Sequence, residues 1–466
     1  MDLRKLLQNL DNPFSGNTRI LFPDDPEFVQ KTLRWNTYSS PTYKAVVLPA
    51  SVPDVQNLIT LATANNVSFL VTGGNHGYST TFSKLQNNLA ISMRSFNSVT
   101  INATENTMTV GGGTLFSEVY DVLYNAGKEI QGGVCSGVGV VGLTLGGGIG
   151  RYLGIHGLLL DALLSVQMVT DAGELIKVSQ NSHPDLFWGL RGAGMNFGIV
   201  TSATYRINDL TNGGQVMNAD FIFPADRAPS LFKALKGLKD CQPKEMACIA
   251  LIICGEDGYA EILLNLTYPG PQDIFLQFLQ PFRNLLPRVY GFNSLPWNQL
   301  TTKSGFGIDS KMAIKGAPHS IFSVNLKEID VPTWVSIFEK MNAFYATTPA
   351  GRTSAACLEI YSNEAMQEVP DESTAYPWRD SQGYAMFQMS WVDPSATDVA
   401  NMLGKDLRSL AATTSGYGGL TTYVSYAHGD EPLEQMYGAE KLARLQALKQ
   451  RWDPKNVFAY NNAIML

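Results

Sequence analysis

Between Gly132 and Gly150 the chain reads GGVCSGVGVVGLTLGGGIG, nine glycines in nineteen residues. An interior glycine costs a helix about 1 kcal/mol relative to alanine, so this density argues against a helix here. A flexible linker fits no better. Linkers are spaced with serine and other polar residues, whereas these spacers are mainly Val, Leu, Ile and Thr. Apolar residues between glycines describe a buried loop whose backbone lies close against something flat.

Three chemistries compete for that loop. Gly137-Val-Gly-Val-Val-Gly142 matches the G-x-G-x-x-G dinucleotide fingerprint, and Asp161 stands 19 residues beyond it. That fingerprint has to open a helix, which Leu-Thr-Leu-Gly-Gly-Gly does not offer. Gly133-Val-Cys-Ser-Gly137 has the form of a nucleophile elbow built on cysteine, with His156, His183, His319 and His428 downstream. An elbow too needs a helix behind it. The third reading is a flavin cradle, because backbone N–H groups converge on a pyrophosphate most easily where glycine removes the steric cost. A second such loop, Thr72-Gly-Gly-Asn-His-Gly77, stands earlier in the chain. Each loop carries a nucleophile, His76 or Cys135, and a flat tricyclic ring between them can be linked to both.

Composition narrows the partners. The 466 residues are 45% hydrophobic and only 16% charged, with a net charge of −7. That supplies a large core and no basic field for nucleic acid. Five cysteines and five histidines, without a CxxC or HxxxH pair, suggest neither a disulfide framework nor a metal site. The longest apolar run, Met246 to Cys254, is about half a membrane span. The opening MDLRKLLQNLDNPFSGN does not read as a signal peptide, which points to the cytoplasm. Sequons at Asn66, Asn102 and Asn265 keep secretion open.

Up to about residue 208, short strands (44–49, 67–72, 108–111, 165–170, 198–207) alternate with helices (53–65, 114–125). From there to about 420, strands at 217–223, 247–254, 260–267, 319–325, 355–361 and 384–391 alternate with helices at 227–238, 272–286, 331–346 and 396–412. That pattern describes an antiparallel sheet covered by helices on one face. An amphipathic helix at about 432–451 follows.

Taken together, these residues resemble the berberine-bridge-enzyme-like FAD oxidases of the vanillyl-alcohol oxidase superfamily, and among them the fungal-type natural-product oxidases. The likeness is carried by the 132–150 stretch, Gly157-Leu-Leu-Leu-Asp161, Val169-Thr-Asp-Ala-Gly173, Asp185-Leu-Phe-Trp-Gly-Leu-Arg-Gly192 and Asn196-Phe-Gly-Ile-Val200. Thr374-Ala-Tyr-Pro-Trp-Arg379, Tyr423-Val-Ser-Tyr426 and Trp452-Asp-Pro-Lys-Asn-Val-Phe458 extend it over most of the chain. The resemblance implies an α+β fold: a PCMH-type two-subdomain FAD-binding domain (1–208, completed by about 425–466) and a substrate domain (209–424).

It also implies FAD attached twice, through His76 and Cys135. Further contacts would come from Thr72, Gly73, Gly74, Asn75, Gly77 and Tyr78 in the first loop. The second loop would add Gly137, Val138, Gly139, Gly142, Leu143, Gly146, Gly147, Gly148 and Gly150. Gly157, Leu158, Asp161, Gly198, Val200, Tyr460 and Asn462 complete the set. The first loop departs from the family's Arg-x-Gly-Gly-His-Ser. Thr72 replaces the Arg, and Asn75 replaces a Gly, which Asn's tolerance of the left-handed region permits.

In the family the later tyrosine of a Tyr-x-Asn-Tyr motif can serve as catalytic base; here that is Tyr426, with Ser425 in place of Asn. Strand alternation would put Tyr423 and Ser425 on one face and Tyr426 on the other, with His428 beside Tyr426 as a candidate charge partner. In the strand Tyr384–Trp391, Tyr384, Met386, Gln388 and Ser390 share a face, and Gln388 is the expected substrate contact. Glu359, on an earlier strand, suits a substrate-side carboxylate and a surface role equally.

The expected activity is hydride removal from a C–O or C–N carbon of a hydrophobic natural-product intermediate, with O2 as acceptor and with or without cyclisation. An oligosaccharide or alcohol oxidase, a flavin-bearing pericyclase and a cysteine hydrolase at Cys135 are the alternatives. Neither metal, nucleic acid nor membrane is expected, and the chain would act as a monomer or homodimer.

Overall fold

The computed structural model describes residues 2–8 and 14–465, so part of the N-terminal segment read for a signal peptide (9–13) lies outside the described residues. Besides a two-stranded pair, Lys128–Glu129 with Asn208–Asp209, the described residues form three larger sheets. The first has four strands in the order Arg19–Leu21, Tyr43–Leu48, Asn88–Ser92, Phe69–Thr72, the last three mutually parallel. Its crossover helix, Val52–Ala64, starts at Ser51, whose hydroxyl accepts the Asp54 amide, with Pro53 in the first turn. The helix buries Val55, Leu58, Ile59 and Ala62, one stripe at three- and four-residue spacing.

The second sheet is antiparallel, ordered Val99–Asn102, Thr107–Gly111, Ile199–Arg206, Leu163–Val169, Leu175–Ser179. The third, also antiparallel, has seven strands: Val289–Pro296, Gln215–Phe223, Ala260–Tyr268, Ala247–Cys254, Ala355–Tyr361, Gly383–Ser390 and His319–Leu326. On one face Ala385, Phe387 and Met389 pack with residues of helices Ala228–Lys239, Val331–Thr347 and Thr397–Thr413. On the other, Tyr384 and Cys357 join the core shared with the glycine-rich stretch, and Met386 packs against it. The period-2 reading of Tyr384–Trp391 places its side chains correctly. The edge strand Val289–Pro296 was not expected.

Two expectations are corrected. Val140–Gly146 is a helix despite its glycines. Val140, Val141, Thr144 and Leu145 are buried, and the Thr144 hydroxyl bonds both the Val140 carbonyl (2.8 Å) and Tyr205 Oη (2.9 Å). Packing of the apolar spacers therefore outweighs propensity. The helix ends at Gly147, at φ 153°. The single helix expected at 432–451 is two, Leu433–Tyr437 and Ala439–Trp452. They break at Gly438 (φ 75°), where a Cβ would stand 2.8 Å from Pro377.

Beyond that second helix, a buried ion pair fixes the chain. Lys449 Nζ meets Asp453 Oδ2 at 2.5 Å and donates to the carbonyls of Asn196 and Phe458, each at 3.0 Å. Asp453 also accepts the amides of Val457 and Phe458. No helix among the described residues is long and apolar enough to cross a membrane.

Candidate cofactor and active site

A cavity of about 350 Å³ lies where the three sheets meet. Its walls are the 72–78 loop, residues 133–149, the start of strand Ile199–Arg206, the 424–427 turn, residues 458–462, and Ile321, Met386 and Gln388 of the seven-stranded sheet. Ser79 Oγ donates to Asn462 Oδ1 at 2.6 Å, across 383 residues of sequence, and ties the first loop to the C-terminal wall.

The two glycine loops touch. A Cβ on Gly74 would lie 2.7 Å from the Gly137 carbonyl and 3.0 Å from the Gly139 amide, so only glycine allows this approach. Asn75 takes φ 62°, the left-handed conformation expected of it, and its carbonyl accepts the Trp35 amide at 2.9 Å. His76 stacks on Trp35, with ring centroids 5.5 Å apart. Its Nε2 is buried without a hydrogen-bond partner, as is the Tyr78 hydroxyl. Burial, aided by the Lys315 charge, lowers the imidazole to about 4, so the ring is neutral at neutral pH. Cys135, across the loop contact, is buried, and burial pushes its thiol up to about 12.

On the opposite wall, Tyr426 Oη donates to Glu359 Oε2 at 3.1 Å. Glu359 is 2% exposed, and burial raises it to about 7 against the opposing hydrogen bonds of Tyr426 and Tyr361 and the Arg151 charge. Burial and the Glu359 charge together push the Tyr426 phenol well above its ordinary range. Tyr423 does not line the cavity; its hydroxyl accepts the Gly148 amide at 2.9 Å and fixes the glycine stretch from behind.

The strand geometry expected at 423–426 is corrected. Val424–Tyr426 is a 3₁₀ turn, with the Tyr426 amide on the Tyr423 carbonyl at 2.7 Å, and the two tyrosine rings meet edge-on at 5.0 Å. His428 is not the partner of Tyr426. Its Nδ1–H donates to the Ile321 carbonyl (3.0 Å) and its ring stacks on Phe322 at 4.2 Å. Of the two places open to Glu359, the surface is excluded: it is buried behind Tyr426 and does not itself line the cavity.

The chain matches the FAD binding domain family over residues 43–179 and the "Berberine and berberine like" family over 422–465. FAD-linked oxidoreductase srdI of Neurospora crassa is 38% identical, covering 99% of this chain and 93% of that protein. FAD-linked oxidoreductase fogF of Aspergillus ruber is 40% identical over 100% and 94%. The chain belongs to the berberine-bridge-enzyme-like FAD-linked oxidoreductases. Among solved folds, Physcomitrella patens BBE-like 1 superposes with TM-score 0.87 at 23% identity over all of both chains. A chitooligosaccharide oxidase gives 0.82 at 21%, over 96% of this chain and 97% of the other.

This BBE-like oxidoreductase offers FAD a cradle that matches the group's chemistry: touching glycine loops, a mostly apolar interior, and three buried polar atoms, Asn75 Oδ1, His76 Nε2 and Tyr78 Oη, with no partner among the described residues. Thr72, Gly73, Gly74, Asn75, Gly77, Val138, Gly139, Gly142, Leu143, Gly198, Val200, Tyr460 and Asn462 also line the cavity, as do His76, Cys135, Tyr426 and Gln388.

Several residues expected at the cofactor do not line the cavity. Asp161 is engaged by Arg379 through two bonds (2.8 and 3.0 Å), both side chains 5% exposed, and also accepts the Leu158 amide. Gly157 and Leu158 belong to the same buried corner. Gly137 is shaped by His76, whose Nε2 would be 2.8 Å from a Cβ there. Gly146, Gly147, Gly148 and Gly150 admit Ser425, Tyr423, Leu159 and the Gly132 carbonyl respectively, each within 2.8 Å of an added Cβ. They pack the wall rather than line it. Sequence reasoning missed Arg34 and Trp35, which line the cavity, and Asp309, buried beside Cys135. The signal for Glu359 was present: alternation along Ala355–Tyr361 puts Cys357, Glu359 and Tyr361 on the face turned to the shared core.

Proposed function

We propose that this enzyme is an oxidase acting on a C–O or C–N carbon of a hydrophobic natural-product intermediate, with FAD joined to both His76 and Cys135. When bound, FAD supplies the two-electron acceptor for hydride removal and passes the electrons to O2. The observation that carries the reading is the buried Tyr426–Glu359 hydrogen bond at the cavity wall. As the substrate O–H or N–H loses its proton, Tyr426 Oη takes it and releases its own to the Glu359 carboxylate. A phenol raised by burial is a poor acid alone, and an ionised carboxylate at 3.1 Å gives its proton a destination. Ile321, Met386 and Met312 give the cavity an apolar lining, and Gln388 is an amide on the sheet wall placed to orient a polar substituent. That apolar lining favours a greasy substrate over a sugar.

The test has two arms. Acid-precipitated wild-type protein should give a yellow pellet, as should His76→Ala and Cys135→Ala, while the double variant releases its colour to the supernatant. Aromatic or prenylated alcohols should consume O2 with stoichiometric peroxide. A colourless wild-type pellet refutes covalent attachment, and substrate turnover without oxygen uptake refutes the oxidase.

A further inference from the structure

Burial keeps Cys135 a thiol rather than a thiolate at neutral pH. A thiol held at about 12 is ionised to about one part in 10⁵ at neutral pH. Formation of a thioether there requires a neighbouring atom that takes the proton as the bond forms. One carboxylate faces this thiol, that of Asp309.

Asp309 is 4% exposed and makes no ion pair among the described residues. Oδ1 accepts the Ser136 amide at 2.9 Å and Oδ2 the Ser136 hydroxyl at 2.6 Å, which fixes the carboxylate against the residue that follows Cys135. The approach is built from the seven-stranded sheet. Buried Asp220 accepts the amides of Gly305 (2.9 Å) and Phe306 (3.2 Å), both at positive φ (62° and 55°), and Asn265 Nδ2 donates to it at 2.7 Å. Phe306 in the left-handed region is strained, and the Asp220 clamp holds that turn so that the chain delivers Asp309 to the glycine loop. Tyr120 and His76 feel the Asp309 charge, and Lys315, Arg34, Arg151 and His319 are the other titratable groups that act on those two side chains.

We propose that Asp309 is the proton acceptor for cysteinyl attachment of the flavin, taking the Sγ proton of Cys135 as the sulfur–carbon bond forms. Overall, the Cys135 S–H and one ring C–H are replaced by a single S–C bond, and the two protons and two electrons released reduce one O2 to hydrogen peroxide. Asp309 is regenerated when its proton passes to solvent. The proposal rests on the two-link reading above and gives the second link its chemistry.

The test uses the His76→Ala background, where any covalent flavin is cysteinyl. His76→Ala should give a yellow acid pellet. His76→Ala/Asp309→Asn should bind FAD but release it to the supernatant, with link formation in air slowed about 10²-fold or more at neutral pH. Raising the pH to about 10, where more of the thiol ionises unaided, should restore the link, with one peroxide formed per thioether. Asp309→Glu, which keeps the carboxylate, should link at neutral pH. Linkage in the Asn variant at the His76→Ala rate overturns the proposal. So does an Asn variant that holds FAD but never links at any pH, or a Glu variant that behaves like it, since either makes Asp309 a positioning residue only. Absence of cysteinyl flavin from wild type and His76→Ala alike overturns the two-link reading, and the proposal with it.

Discussion

Glu359→Gln separates the cost of burying a carboxylate from its use. In the folded enzyme Glu359 is raised from 4.5 to about 7, chiefly by burial. Below about pH 4.5 both folded and unfolded chains hold the proton, and the site carries no penalty. Between about 4.5 and 7 the unfolded chain loses it first, so wild-type stability falls as pH rises; above 7 the loss is complete at about 3 kcal/mol. Glutamine keeps the shape and cannot ionise. With an unfolding entropy of roughly 2 cal/mol/K per residue, that energy corresponds to about 3 °C for a chain of this length. Melting of FAD-loaded wild type and Glu359→Gln from pH 4.5 to 8 should therefore show the variant gaining about 3 °C relative to wild type. Substrate oxidation should move the other way: the wild-type rate rises with an apparent pKa near 7, and the variant is slow and loses that rise. Parallel melting curves and an unchanged pH–rate profile would refute the assignment of Glu359 as a buried, functional carboxylate.

Tyr426→Phe should retain FAD but slow flavin reduction by substrate about 10²- to 10⁴-fold in anaerobic stopped-flow mixing; a wild-type rate sinks Tyr426 as the base. Gly74→Ala forces a methyl group to within 2.7 Å of the Gly137 carbonyl, so purified protein should fold yet carry little flavin, read from its visible absorbance. Lys449→Met leaves Asp453 buried and unpaired and should cost about 3–5 kcal/mol in denaturant unfolding, where a change below 1 kcal/mol would show the pair to be dispensable.

Legibility followed the range of the interactions. Tyr384–Trp391 alternates because one face meets helices and the other the shared core, so period 2 alone sorts Gln388 from Phe387. Val289–Pro296 escaped notice because an edge strand reading VYGFNSLP, with only Leu295 buried, has no alternation to detect. The helix at Val140–Gly146 was hidden by Gly142 and Gly146, because the contacts that bury its apolar residues, such as Thr144 on Tyr205, are made with segments distant in sequence. Tyr423–Tyr426 looked like a strand because a tyrosine-rich segment reads alike as a strand or a tight turn. At the site, the loops with His76 and Cys135 were visible as motifs. Glu359 was visible as a candidate, but its pairing with Tyr426 was not, because the two are 67 residues apart and meet only through the sheet. Asp309 likewise arrives through a strained turn that no local pattern announces.

The bond between Ser79 and Asn462 joins two walls of the cavity across 383 residues of chain. Closing a loop of that length is slow and carries little reward until the intervening sheets have docked. No partly folded chain therefore owns a complete cavity, and intermediates remain colourless. Flavin binding then stabilises only the finished structure, by mass action. The ratio of visible to protein absorbance in a preparation thus sets a lower limit on the fraction of chains that completed folding, and cofactor supply during expression should raise the yield of native enzyme rather than speed the formation of its early parts.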